Sequence, residues 1–412
     1  MSGVVLSSLA AEYGTPLFVY DEAELRARCQ EYRAAFTDGV AYASKAFLCT
    51  AMAQLVAEEG IGIDVATGGE LFVALRGGVP AERITLHGNN KSEAELRKAL
   101  EVRIGRVVAD SFDELDRLER LVAEGLPEPH VQVRVTPGVA ANTHAYIETG
   151  TDDSKFGFSL GNGDALAAVE RVITHPQLHF AGIHCHIGSQ VYAIDSFTRA
   201  TQKMIELVGE IEAKCETTVD EVNVGGGLGV RYLAEDEPPS IAEYAARLRE
   251  GFEEALNASG VQSRPRLTVE PGRSIAAPAG LTLYRVGTVK RIPGVRTYVA
   301  VDGGMSDNLR PVTYGARYEA FVPTRATAGR TLVATIAGKH CEQGDLVVRD
   351  ATLPEDIAVD DLLAVPVTGA YGQVMANNYN KVTRPAVVFV RDGQARLVVR
   401  RETDEDLVRL DQ

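Results

Sequence analysis

The most reactive candidate in the sequence is Lys45, which follows the apolar run Val40–Ser44. Burial there would lower the pKa of its amine and free it as a nucleophile; the alternative is a lysine whose ammonium snorkels to solvent. Lys155, in Asp153-Ser154-Lys155-Phe156-Gly157, is the rival, and Lys45 is preferred because it lies directly at a strand end. Gly225-Gly226-Gly227 would let backbone N–H groups approach an anion with no Cβ in the way, a nest suited to phosphate, or would simply make a tight turn. Arg273 ends the stretch Glu270-Pro271-Gly272-Arg273 and brings a cation to the same phosphate. A lysine nucleophile, a phosphate cradle and a carboxylate together suggest pyridoxal 5'-phosphate. Lys45 would carry it, and Glu270 would keep its pyridine nitrogen protonated, unless Glu270 pairs with Arg273 instead. His186 would then stack on the ring and Ser189 would touch the phosphate. The competing chemistry is a metal centre. His184 and His186 stand two apart on a strand, so they point the same way, and with His87 and Asp110 they would make a hydrolytic site. That alternative leaves Lys45, the glycines and Arg273 without a task.

These groups need a scaffold that gathers strand ends. Eight β-branched or apolar runs alternate with helical stretches: Val40–Ser44, Gly62–Ala66, Ile84–His87, Arg106–Asp110, Val131–Val135, Phe180–His184, Glu221–Val224 and Arg266–Val269. Eight βα units close a (β/α)8 TIM-type barrel, whose functional groups sit at the C-terminal strand ends. Polar residues cluster there, among them Lys45, Glu70, Asn89, Asp110, His186 and Glu270, while strand five carries Arg134. Phosphate sites of such barrels favour the loops after strands seven and eight, where Gly225–Gly227 and Arg273 fall. Between strands, Leu25, Cys29, Tyr32 and Phe36 recur at helical spacing behind an Asp21/Glu24 start, and Ser111 with Glu114 repeats that capping signature before Leu115, Leu118 and Val122. Beyond Ala277 the strands Leu281–Val286, Thr297–Val301, Thr331–Ile336, Leu346–Val348, Leu363–Val367 and Ala386–Val390 follow with few helices between them, which predicts a C-terminal antiparallel β domain. Pro16–Tyr20 has no barrel partner and is assigned to that sheet. The expected division is a barrel over 23–278 and a β domain built from 1–22 and 279–412.

Composition limits the partners. The 412 residues hold 42 Lys plus Arg against 57 Asp plus Glu, a net charge of −15, so no nucleic-acid partner is expected. No apolar run reaches the roughly 18 residues of a membrane span, and the N-terminus lacks a signal-peptide pattern, which points to a cytoplasmic protein without a membrane partner. The 5 cysteines form no CxxC pair, which disfavours disulfides and structural zinc, and no metal is expected.

The β domain carries its own polar clusters, Asp302 to Pro311 with Arg310, then Tyr314, Gly338 to Asp345 with Cys341 and Glu342, and Gly369-Ala370-Tyr371-Gly372. These are simple turns, or they reach a site where Arg310 binds a carboxylate and Cys341 donates a proton. With Tyr42-Ala43-Ser44-Lys45-Ala46, Gly182-Ile183-His184-Cys185-His186-Ile187-Gly188-Ser189-Gln190, Gly225-Gly226-Gly227-Leu228-Gly229, Glu270-Pro271-Gly272-Arg273 and Cys341-Glu342-Gln343-Gly344-Asp345, nearly the whole chain resembles the fold-type III pyridoxal-phosphate decarboxylases.

The resemblance implies a homodimer with shared active sites. It implies that Lys45 holds the cofactor, that Ser189, Gly226, Gly227, Gly272 and Arg273 surround its phosphate, and that Glu270 and His186 contact the ring. Asp64 and Arg134 would support the ring from behind, and Tyr371 would close over the phosphate. Cys341 and Glu342 would come from the partner subunit. Arg310 with Tyr314 offers a partner for a distal carboxylate and Glu342 one for a distal ammonium, while Arg273 and Tyr371 complete the substrate contacts. A substrate with an amino acid at each end fits, namely meso-2,6-diaminopimelate, giving lysine and carbon dioxide. Decarboxylation of another basic amino acid is the alternative. A non-catalytic regulatory homologue would have lost the lysine, the glycines or the cysteine, and a racemase would not need Cys341-Glu342.

Overall fold

The computed structural model describes residues 1–139 and 153–412. They fall into two compact units. One comprises Arg28–Gly229 and Pro238–Gly272, the other Met1–Ala27, Val230–Glu237 and Arg273–Gln412. Ala23–Ala27, Val230–Glu237 and Arg273–Pro278, which lie inside the expected 23–278 boundary, therefore cluster with the β unit. β1 (Leu17–Asp21) belongs to that unit too.

The first unit is a barrel of parallel strands in chain order: β2 (Ala41–Ala43), β3 (Gly62–Val65), β4 (Ile84–Leu86), β5 (Arg106–Ala109), β6 (His130–Thr136), β8 (His179–Cys185), β9 (Glu221–Asn223) and β10 (Arg266–Thr268), with β7 (Phe158–Ser159) added beside β6. Each expected run matches its strand to within one residue at either end. A parallel bridge between Val40 and Val269 closes the circle, with Ala41 N–H on Val269 O at 3.0 Å and Ala43 N–H on Pro271 O at 3.0 Å. The helices bury one apolar stripe each; Phe112–Ala123 covers Leu115, Leu118, Leu121 and Val122. Among the described residues no helix is long and apolar enough to cross a membrane.

Glu114 departs from its expected capping role. Ser111 Oγ does accept the Glu114 N–H at 3.3 Å, but the Glu114 carboxylate reaches Lys91 Nζ at 2.7 and 2.9 Å. Lys91 is 2% exposed and also donates to Gly88 O and Val108 O, so all three ammonium protons are used. Burial pushes Lys91 down and Glu114 up, and each charge holds its partner back. Lys91→Met should cost about 3–5 kcal/mol in denaturant unfolding, because Glu114 would stay buried without its cation.

The second unit is an eight-stranded sheet of β1 with β11 (Gly280–Ile292), β12 (Arg296–Val301), β13 (Leu332–Ala337), β14 (Leu346–Leu353), β15 (Leu362–Pro366), β16 (Ala386–Arg391) and β17 (Gln394–Val399). As expected, the N-terminal strand completes it: β1 lies between β11 and β16. The sheet is mixed rather than purely antiparallel, since β1/β16 and β12/β13 run parallel. Neither pair is joined by a hairpin, so a tight turn does not dictate its direction. β17 was not anticipated, although Asp392-Gly393, both at positive φ, makes the two-residue turn that folds it onto β16. Two cores result, one around Tyr284, Val299 and Ile336, the other around Leu9, Val19 and Val388.

Candidate active site

Within the barrel unit, Lys45 occupies a single turn, Ser44–Ala46, directly after β2. Its neighbours Ser44 and Ala46 are buried but Lys45 is exposed, which corrects the expectation that its side chain is buried at the strand end. Its charge nevertheless acts on two expected site residues. Asp64 pairs with Ala43 across β2/β3, and burial and the charge of Glu270 push its carboxyl well up, opposed by Lys45. Burial and then the charge of Lys45 hold His186 well below the ordinary imidazole range, so its ring is neutral and can lie flat against another ring.

The glycine turn follows β9. Gly225 and Gly227 have φ of 68° and 122°, which a side chain would oppose. A Cβ on Gly226 would sit 2.1 Å from Glu270 O, and one on Gly227 2.3 Å from Gly188 O. The latter contact places Ser189 beside the turn, where Val191 N–H bonds Gly227 O at 2.9 Å. Gly272 is equally confined, since its Cβ would lie 2.9 Å from Ala43 Cβ. Asn223 Oδ1 accepts the Gly225 N–H at 2.8 Å, whereas the N–H groups of Gly226 and Gly227 have no protein acceptor among the described residues.

Glu270 is 6% exposed and bonds His87 Nε2 and Asn223 Nδ2 through Oε1, each at 2.9 Å, and His184 Nε2 through Oε2 at 2.9 Å. Burial opposes its ionisation, but the two histidines outweigh it and hold the carboxyl well below the usual range. Arg134 stacks over Phe156 at 4.3 Å and lies 3.7 Å from Asp110. Lys155 is exposed over the same Phe156 ring at 5.0 Å. A turn that cannot take side chains, two available N–H groups and a buried carboxylate ringed by donors fit a phosphate and a protonated ring nitrogen, as pyridoxal phosphate requires. The competing set of His184, His186, His87 and Asp110 is not assembled as ligands among the described residues. Among the described residues the cluster with ligand spacing is His87, His184 and Glu270; His186, one residue past the end of β8, packs on Gly225, and Asp110 accepts the Gly157 N–H.

The β unit gathers a second set. Arg310 is 7% exposed and donates to the hydroxyls of Tyr232, at 3.0 Å, and Tyr318. Arg273 donates to the same Tyr232 hydroxyl at 2.7 Å and lies 4.8 Å from the Tyr371 ring centroid. Burial opposes ionisation of Tyr232, but the two guanidinium charges pull its pKa below the phenol range. Tyr314 is half-buried at the end of the helix Arg310–Tyr314; the hydroxyl that Arg310 reaches is that of Tyr318. Neither Tyr232 nor Tyr318 lies in a recognisable motif; the sequence separation of 78 between Tyr232 and Arg310 hid that contact. Cys341 and Glu342 are exposed on the turn between β13 and β14, which Asp345 staples by accepting the N–H groups of His340 at 2.9 Å and Met305 at 2.7 Å. Glu342 accepts from the Tyr379 hydroxyl.

Nearby, Asp307 accepts from Tyr284 Oη at 2.5 Å, and burial pushes its carboxyl up to about 7. The unfolded chain loses this proton near pH 4, so the stabilisation is complete below about pH 4 and is lost as pH rises towards 7. Asp307→Asn should therefore melt higher than the wild type at pH 8 and no higher at pH 4.

Comparison with known proteins agrees with this arrangement. Residues 22–277 match the family described as "Pyridoxal-dependent decarboxylase, pyridoxal binding domain". The diaminopimelate decarboxylase of Bacillus subtilis is 49% identical over 416 residues, covering 100% of this chain and 94% of that protein. Among solved structures, the M. jannaschii diaminopimelate decarboxylase in complex with L-lysine has a TM-score of 0.92 at 34% identity, covering 98% of this chain and 94% of that one. The Helicobacter pylori enzyme with L-lysine gives 0.90 at 30% identity, covering 98% of each chain.

Proposed function

The chain belongs to the pyridoxal-dependent decarboxylases, and from that premise we infer that it removes carbon dioxide from one end of meso-2,6-diaminopimelate, yielding L-lysine, with pyridoxal 5'-phosphate as cofactor. When bound, the cofactor supplies an electron sink for the pair left as the Cα–carboxylate bond breaks. Lys45 holds it covalently, Gly226, Gly227, Ser189, Gly272 and Arg273 hold its phosphate, and His186 covers its ring. Glu270 keeps the ring nitrogen protonated, while Asp64 and Arg134 fix the environment behind it. The observation that carries the substrate is Arg310: a buried cation whose partners among the described residues are two phenols and no carboxylate. A charge so placed favours an anion, and a distal carboxylate distinguishes diaminopimelate from lysine, ornithine and arginine. Tyr314 and Tyr371 border that end of the substrate.

The protein works in the cytoplasm as a homodimer, in which Cys341 and Glu342 complete the partner's site. Their exposure on one turn supports this: a proton donor and an acceptor for the distal ammonium lie on a surface another chain can reach. Cys341 returns a proton to the α-carbon of the product. Product analysis tests the reaction: lysine and carbon dioxide should appear in equal amounts, whereas epimerised diaminopimelate without carbon dioxide would mark a racemase. Mixing inactive Lys45→Ala and Cys341→Ala proteins should restore part of the activity if sites are shared, and none if each chain is self-sufficient.

A further inference from the structure

Glu270 is held by more donors than contact with a ring nitrogen requires. His87 follows β4, His184 lies in β8 and Asn223 ends β9, so three separate strands aim donors at one carboxylate. An ionised carboxylate only accepts, so both Nε2 atoms must carry hydrogen. Burial keeps both imidazoles neutral, His184 down at about 4, which leaves each Nδ1 bare. The Nδ1 of His184, buried without a partner among the described residues, suits that tautomer. The orientation of Asn223 is fixed just as firmly: its Oδ1 accepts the Gly225 N–H, so its Nδ2 must face Glu270. The Glu270 N–H in turn donates to Gly225 O at 2.8 Å, closing a ring of bonds between the carboxylate residue and the glycine turn.

We propose that Asn223 is a positioning residue that, with His87 and His184, fixes the Glu270 carboxylate and locks it to the phosphate-binding turn, so that the ring nitrogen and the phosphate are held in register by one side chain. The proposal rests on the reading of Glu270 as the ring-nitrogen partner.

Asn223→Asp separates the two bonds. Its carboxylate still accepts the Gly225 N–H but sets a second negative oxygen against Glu270, and such a pair traps a proton. In the holoenzyme the absorption band of the bound cofactor should shift and kcat fall about thirtyfold, with cofactor Kd and substrate KM within about threefold. Asn223→Ala removes both bonds and should also weaken cofactor binding about tenfold. His87→Gln, which keeps an N–H donor, should retain more kcat than His87→Ala. Asn223→Asp with an unshifted band and kcat within about twofold would overturn the proposal, as would losses that merely follow cofactor Kd. Glu270→Gln run alongside distinguishes the failures: if it too behaves as wild type, the ring-nitrogen reading is wrong, and if it alone is impaired, only the positioning role is wrong. Should the variants not fold, nitrogen NMR of the wild-type holoenzyme decides. Both imidazoles should be neutral with hydrogen on Nε2, and hydrogen on Nδ1 would refute the clamp.

Discussion

Lys45→Ala should eliminate the borohydride-trappable link between chain and cofactor and lower kcat on the order of 10³-fold or more, with the fold intact. The expected loss is large because the proposed function makes this amine the covalent anchor, while little else in the chain changes. Lys45 is exposed on its turn, so unfolding should shift by less than about 1 kcal/mol. Locally, Asp64 would lose the cation that opposes its upward shift and His186 a repulsive neighbour. Lys155→Ala is the internal control. That lysine lies over Phe156, where Arg134 also stacks, and its removal should leave both the adduct and kcat near wild type. Peptide mass mapping after borohydride reduction reads the result directly; a label on Lys155, or one persisting in Lys45→Ala, would sink the assignment.

Arg310→Met should raise KM for meso-diaminopimelate about a hundredfold and change kcat far less, since a charge-assisted bond to a distal carboxylate is worth about 1.5–3 kcal/mol. Burial opposes the Arg310 charge, but Tyr318 and Tyr232 outweigh it, and its pKa rises above the ordinary value. The cation is thus permanent and its direction set by two phenols. Arg310→Lys should recover only part of the loss, because an ammonium cannot match the planar fork. Tyr232→Phe removes one hydroxyl acceptor from both Arg273 and Arg310 and should give an intermediate KM. Unchanged KM in Arg310→Met, with normal melting, would remove the distal-carboxylate role.

Much of the fold was legible because a barrel strand announces itself locally, as a short β-branched run ending in a polar residue, and eight of them leave few topologies. The positions of Lys45, the glycine turn and Glu270 were legible for the same reason: each follows such a strand end. What escaped was set by contacts between distant residues. Glu114 reads as a capping residue until Lys91 is seen beneath it, and Tyr232 and Tyr318 carry no local signal that they flank Arg310. His184 reads as a metal ligand by strand alternation, yet Glu270, 86 residues away, claims its Nε2. Lys45 was expected to be buried, whereas it is the exposed residue of a turn whose two other residues are buried. The parallel pairings of β1 with β16 and of β12 with β13 depend on chain ends and a long connection, which periodicity does not encode.

The most direct test is carbon dioxide release measured as kcat/KM across meso-diaminopimelate, L-lysine, L-ornithine and L-arginine with the same purified holoenzyme. Release from meso-diaminopimelate alone, matched by equimolar lysine, is the predicted result; comparable release from lysine or ornithine would contradict it.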